Sequence, residues 1–72
     1  MAAPDETTVR IGKRLKEIRL SKGITQAEVA KRAKLHPNYY SRVERADISP
    51  SIETYKQIAK VLGVSAKDIF PF

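Results

Sequence analysis

The chain has 72 residues, of which 14 are Lys or Arg and 8 are Asp or Glu, giving a net charge of +6, and it contains no cysteine. This length suits one small domain and leaves no room for a second, and the lack of cysteine excludes a disulfide framework or a thiolate metal site. No apolar run approaches the roughly 18 residues of a membrane span, so the sequence predicts a soluble, cytoplasmic protein.

The positive charge is unevenly distributed along the chain. Residues 1–45 hold 11 Lys or Arg against 5 Asp or Glu, whereas the charges of residues 46–72 cancel. A basic half on a small domain favours a polyanion as partner. A merely solvated basic surface is the alternative, and charge alone does not decide between the two.

Apolar residues recur at helical spacing in the first predicted helix. Ile11, Leu15 and Ile18 follow the i, i+4, i+7 pattern, and Lys and Arg occupy the other faces. The pattern predicts an amphipathic helix over about 9–22, which Gly23 ends.

The next two predicted helices are short and are joined by a three-residue turn. Thr25 and Glu28 form a capping box, in which each side chain bonds the other residue's backbone amide, at the start of a helix that runs to about residue 33. Pro37 suits the first position of a third helix over 37–44, because its missing N–H would have no partner there. Four residues of the second helix are expected to face the core: Ala27, Val29, Ala30 and Ala33.

Two short helices with such a turn predict a helix-turn-helix unit, in which the second helix projects from the body while the first braces it. Tyr40 and Val43 lie on the inward side of this projecting helix. Tyr39 is about 100° away from Tyr40 around the helix axis. We therefore expect Tyr40 to enter the core and Tyr39 to point outward.

The remaining sequence predicts two more helices. Ser51 is a good cap for a fourth helix that Gly63 ends, and residues 65–68 repeat the capping pattern before a short fifth helix. The fourth helix has one apolar stripe, formed by Ile52, Tyr55, Ile58, Ala59 and Leu62. The expected organisation is an all-α, compact five-helix domain over residues 9–72, preceded by a flexible tail at residues 1–8.

Five short motifs follow one another along the chain. They are IGKRL at 11–15, KGITQAEVA at 22–30, SRVER at 41–45, PSIET at 50–54 and AKVLGV at 59–64. In this order they resemble the lambda-repressor-like helix-turn-helix regulators, also called the XRE or Cro type, over about residues 11–70. The resemblance implies DNA-binding transcriptional regulation with no enzymatic activity and no cofactor. The Leu35-His36 pair followed by Tyr40-Ser41 resembles the controller proteins of restriction-modification systems, and phage-type repressors and antitoxins fit almost as well.

By this resemblance, the third helix is the recognition helix and lies in the major groove of double-stranded DNA. Arg42 would pair with guanine O6 and N7, and Asn38 with adenine N6 and N7. The residues expected along the base edges are Pro37, Asn38, Tyr39, Ser41 and Arg42. Simpler roles stay open for some of them: Arg42 as a solvated charge, Asn38 as a local helix cap, and Tyr39 as a ring lying across the protein surface.

The resemblance also implies contacts to backbone phosphates, which position the protein without reading sequence. The residues concerned are Lys13, Arg14, Gln26, Lys34, His36 and Arg45. His36 is expected to cap the third helix as well, and Arg19 and Glu44 are implied to form an ion pair that fixes its pose. Two departures from the family pattern are Lys34, at a turn position where glycine is usual, and the loop at 45–48, where glycine followed by basic residues is commoner. Lys34 is therefore expected to adopt a positive φ, and fewer phosphate contacts are expected from the loop.

One module of this size covers too little DNA for high specificity, so we expect a homodimer on a palindromic operator. The expected interface residues are Val64, Ile69, Phe70 and Phe72. Repression would follow from occupying a promoter, and activation from touching RNA polymerase. The alternative is a protein-interaction module or antitoxin of the same fold that uses the apolar tail as its partner surface. No catalytic constellation, metal site, small-molecule ligand site or membrane segment is evident.

Overall fold

The computed structural model describes residues 5–71, and within this range the chain is all-α. Four α-helices precede one turn of 3-10 helix: α1 Glu6–Ser21, α2 Gln26–Arg32, α3 Pro37–Glu44, α4 Ile52–Leu62 and the 3-10 turn Ala66–Asp68. The predicted fifth α-helix is therefore wrong in type. Three residues separate the Ser65 cap from Ile69, whose side chain is buried in the core, so the chain has room for a single turn.

Helix α1 begins earlier than the apolar pattern predicted. The Asp5 carboxylate accepts a hydrogen bond of 2.8 Å from the backbone N–H of Thr8, which satisfies one of the free amides at the helix start. The predicted flexible tail over residues 1–8 is thus wrong for residues 6–8, which form the first turn of α1. Residues 1–4 lie outside the described range.

Every α-helix is followed by a residue in the left-handed conformation. These residues and their φ angles are Gly23 at 69°, Lys34 at 58°, Ala46 at 61° and Gly63 at 75°. In each case the next amide bonds a carbonyl five residues back, which caps the helix end. The expected positive φ of Lys34 is present, and Ala46 shares it. Each of these two side chains costs about 1 kcal/mol relative to glycine in this conformation.

The helices enclose one core, to which every α-helix contributes. Its buried members are Ile11, Leu15, Ile18, Val29, Ala30, Ala33, Tyr40, Val43, Tyr55, Ile58, Ala59, Leu62 and Ile69. One predicted core residue is wrong, and one member of the apolar stripe of α4 is exposed. Ala27 is exposed, because it lies about 200° from the buried Val29 around the helix axis. Ile52, the first residue of α4, is 59% exposed.

Helix α3 is seated by close contacts at both of its ends. A Cβ on Gly12 of α1 would lie 2.5 Å from the carbonyl oxygen of Glu44, so the approach of α1 to the end of α3 requires glycine. On the other side, the Gln57 side chain of α4 donates a hydrogen bond to the carbonyl of Ala33, just before the turn that leads into α3. The backbone of α3 is therefore fixed by its neighbours.

Candidate nucleic-acid interface

His36 caps the start of α3. Its Nδ1 accepts a hydrogen bond of 3.1 Å from the backbone N–H of Asn38, and Pro37 occupies the first helical position. The cap leaves the Asn38 side chain exposed, with no hydrogen bond to any residue in the range 5–71. The local capping role considered for Asn38 is therefore filled by His36.

The outward face of α3 carries side chains that the fold does not use. Pro37, Asn38 and Arg42 are exposed, and Ser41 is half-buried. The guanidinium of Arg42 forms no ion pair or side-chain hydrogen bond within the described part of the chain. An exposed and unpaired guanidinium is available to a partner such as a guanine edge or a phosphate.

The two adjacent tyrosines divide unequally between core and surface. Tyr40 is fully buried, as the helical spacing predicted. Tyr39 is half-buried and packs against the core cluster, so the prediction of an outward ring holds for only part of this side chain. Tyr39 therefore presents only part of its side chain to the surface that α3 exposes.

An ion pair links the end of α1 to the end of α3. The Nε of Arg19 lies 2.7 Å from Oε2 of Glu44, and Nη2 lies 3.2 Å from Oε1. Arg19 also donates to the carbonyl of Ile24 at 2.9 Å. The side chains of Arg19 and Glu44 are 9% and 2% exposed, so this is a buried, two-pronged pair of the kind that carboxylate and guanidinium favour.

Gln26 joins this pair, although the sequence indicated for it only a phosphate contact. Its Nε2 donates to Oε1 of Glu44 at 2.9 Å. Burial alone would raise the pKa of Glu44. Arg19, the nearby Tyr40 hydroxyl and Gln26, in decreasing order, together outweigh burial and lower this pKa. Burial also raises the pKa of the neighbouring Tyr40, whose hydroxyl has no partner at normal hydrogen-bond geometry among residues 5–71. The carboxylate stays charged and the phenol stays neutral.

A basic depression lies beside the ion pair, between α1, α2 and the end of α3. Lys13, Lys16, Gln26 and Arg45 line it, together with Glu44 and two apolar residues. Lys16 was missed by the sequence interpretation, although it lies three residues from Lys13 and so on the same face of α1. Both lysines are exposed and neither forms an ion pair in the described residues. This depression gathers cations from segments far apart in sequence.

Two predicted phosphate-contacting arginines have partners of their own. Arg14 donates to the carbonyl of Asp68 at 3.0 Å and lies 3.9 Å from Glu17, so it braces the 3-10 turn and does not join the basic depression. Arg45 lines the depression but forms an ion pair of 3.2 Å with Asp47. On the opposite edge of α3, Lys34 and His36 are exposed.

The residues expected at a dimer interface differ in burial. Ile69 is 2% exposed and belongs to the core, so its assignment to an interface is wrong. Phe70 is half-buried and packs edge-to-face on Tyr55, with ring centroids 5.7 Å apart. Val64 is half-buried, and Phe72 lies outside the described residues. Ile52, which the sequence placed in the apolar stripe of the fourth helix, is an exposed apolar side chain in this region.

Within residues 5–71 no cluster of three or more His, Asp or Glu side chains is placed to hold a metal ion. No helix in the same range is long and apolar enough to cross a membrane.

Comparison with known proteins agrees with this geometry. A family described as helix-turn-helix matches residues 15–69. Control protein C.BamHI of Bacillus amyloliquefaciens is 37% identical over 62 residues, which are 85% of this chain and 76% of that protein. The immunity repressor protein of Bacillus phage phi105 is 34% identical over 59 residues, which are 82% of this chain but 41% of the repressor.

A solved structure shares the same arrangement of helices. The restriction-modification controller protein C.AhdI from Aeromonas hydrophila superposes with a TM-score of 0.85 at 30% identity, covering 88% of this chain and 96% of that one. The family match covers most of the chain, and these two relatives and this structure cover 85%, 82% and 88% of it. The chain therefore belongs to the helix-turn-helix family, in its lambda-repressor-like (XRE) branch.

Proposed function

We propose that this protein binds double-stranded DNA sequence-specifically and regulates transcription by occupying an operator. The observation that carries the proposal is the outward face of α3, where Asn38 and Arg42 are exposed and unpaired on a helix whose backbone is fixed at both ends. A rigid helix with free polar tips is suited to the major groove, because its side chains reach base edges with little loss of conformational freedom.

The two polar tips differ in what they can read. The guanidinium of Arg42 matches the two acceptors of guanine, and the amide of Asn38 matches the acceptor and donor of adenine, each for about 1–3 kcal/mol of discrimination. Pro37 offers apolar surface to a thymine methyl group. Ser41 and the exposed edge of Tyr39 are placed for additional contacts beside them.

Phosphate contacts on both sides of α3 hold the domain on the duplex. On one side are Lys13, Lys16 and the free amide proton of Gln26 in the basic depression, joined by Arg45. Lys34 and His36 lie at the other side. These contacts supply affinity that falls with salt but no sequence preference.

A homodimer would double this interface and place two α3 helices on successive major grooves of a palindromic operator. We propose that α4 and the segment after it supply the contact, with Ile52, Val64 and Phe70 at its surface. The similarity to a control protein and to an immunity repressor supports regulation from a promoter. Blocking RNA polymerase or contacting it are both compatible with a small domain on DNA.

Selection of bound fragments from a random DNA pool tests the proposal. We expect one enriched motif with two-fold symmetry, bound with an affinity that falls steeply as salt rises. Recovery of no motif, or binding that is insensitive to salt, would contradict sequence-specific DNA binding and favour a protein-interaction module instead.

Sedimentation equilibrium tests the dimer separately. The wild-type protein with its selected duplex is expected to show two protomers per palindrome, and Ile52→Ser is expected to weaken that association. If only monomers are detected at high protein concentration, with and without DNA, the proposed homodimer is wrong. Base reading by a single domain would then remain as the proposal.

A further inference from the structure

Asp47 places a negative charge at the edge of the basic depression. Its carboxylate lies 3.2 Å from Nε of Arg45, and the two side chains are 49% and 62% exposed. The backbone around it is held firmly, since Ala46 is left-handed and the N–H of Asp47 donates to the carbonyl of Arg42 at 2.9 Å. The end of α3 therefore fixes the backbone from which this carboxylate reaches Arg45.

The ion pair contributes little to the fold itself. Pairs this exposed are screened by water and salt, and Asp47 forms no other ion pair or side-chain hydrogen bond in the described range. The buried Arg19 and Glu44 pair already fixes the end of α3. A carboxylate held at this position without a structural task acts mainly on whatever approaches Arg45.

We infer that Asp47 competes with DNA phosphates for Arg45 and so sets the affinity of the protein for the DNA backbone. This inference rests on the proposed function. A phosphate that approaches the depression has to replace the carboxylate as partner of Arg45, because the carboxylate otherwise neutralises that cation. Because Asp47 touches no base, it weakens binding to all sequences and leaves base preference to α3.

The inference is tested by neutralising the carboxylate in Asp47→Asn. The affinity of this variant for a random-sequence duplex is measured at low salt. We expect Asp47→Asn to bind about threefold to tenfold more tightly per protomer than wild type, the range given by freeing one cation near the surface from a neutralising charge. The slope of log affinity against log salt should steepen by about 0.9 per protomer, because one more phosphate is neutralised.

A double-mutant cycle shows whether Asp47 acts through Arg45. In the Arg45→Ala background, Asp47→Asn is expected to change the affinity by less than about twofold, well below its effect in wild type. Glu17→Gln is the matched control, since it removes an acidic group from another exposed arginine pair that lies outside the depression. Its effect should be smaller than that of Asp47→Asn.

The outcomes separate this inference from the proposed function. The inference is overturned if Asp47→Asn binds no more tightly than wild type, if its gain persists without Arg45, or if Glu17→Gln gains as much. If wild type binds random-sequence DNA but the double-mutant cycle does not give the expected result, only the role of Asp47 is overturned. Wild-type protein that binds no duplex at low salt overturns both.

Discussion

Arg19 and Glu44 are 25 residues apart in sequence, yet the guanidinium of one and the carboxylate of the other form two hydrogen bonds of 2.7 and 3.2 Å. Arg19 lies in the last turn of α1, and Glu44 is the last residue of α3. This buried pair therefore ties the end of α1 to the end of α3. The pose of α3, and with it the placement of Arg42, depends on these two charges.

Removing one member of the pair should destabilise the protein strongly. Arg19→Ala leaves the Glu44 carboxylate buried with Gln26 as its remaining side-chain partner, and we expect the free energy of unfolding to fall by about 3–5 kcal/mol. Arg32→Ala is the matched control, because it breaks an exposed pair with Glu28 and should cost less than about 1 kcal/mol. Urea denaturation measures both, and equal losses in the two variants would refute the role given to the buried pair.

The same pair makes stability depend on acid. The pKa of Glu44 is lowered in the folded protein, so its contribution is fully present above the unfolded value near 4.5 and is lost as pH falls through the lower folded value. Wild type should therefore lose more stability than Glu44→Gln between about pH 5 and pH 2. The pKa values of Asp5 and Asp68 are also lowered, through hydrogen bonds from Thr8 and Ser65. Wild type and Glu44→Gln share that contribution, so it cancels in the comparison. Parallel curves of unfolding free energy against pH would show that Glu44 is not coupled to folding.

Gly12→Ala should destabilise the protein although alanine is the better helix former. An alanine within a helix normally gains up to about 1 kcal/mol over glycine. Here the new Cβ would lie 2.5 Å from the Glu44 carbonyl, so the end of α3 has to move, at a cost of about 1–3 kcal/mol. The melting temperature and the DNA affinity of Gly12→Ala should both fall. A variant more stable than wild type would show that α1 and α3 are not in close contact.

Lys34→Gly should stabilise the protein by about 0.5–1 kcal/mol. Lys34 is exposed and left-handed, so glycine relieves the strain of a Cβ at positive φ. Glycine also raises the conformational entropy of the unfolded chain, which offsets part of this gain in stability. Lys31→Gly is the control: Lys31 lies inside α2, where the same substitution should destabilise by about 1 kcal/mol. Chemical denaturation of both variants measures the effect, and a loss of stability in both would argue against a left-handed residue at this turn.

The helices could be predicted from sequence because local signals agreed with one another. Thr25, Pro37, Ser51 and Gly63 each mark a helix boundary that the structure contains. The start of α1 was misplaced because Asp5 caps the helix from within a polar stretch that has no apolar period. The expected fifth helix failed because a capping pattern does not fix how many residues follow it.

The site was predictable to the extent that periodicity assigns faces. The spacing placed Tyr40 inside, and the resemblance placed Arg42 outside. Neither could show that Lys16 lines the same depression as Arg45, or that Arg14 turns toward Asp68. These relationships depend on how α1 crosses the end of α3, which Gly12 decides through tertiary contact. The ion pair between Asp47 and Arg45 likewise depends on the conformation of the loop after α3, which the sequence pattern does not give.

The most direct measurement is the affinity of Arg42→Ala for the selected operator and for a set of duplexes that each change one base pair. The account predicts that this variant loses about 1–3 kcal/mol of discrimination at one base pair per half-site and keeps wild-type preferences elsewhere. Lys13→Ala should weaken binding to every duplex about equally. If Arg42→Ala behaves like Lys13→Ala on the whole set, α3 does not read bases through Arg42.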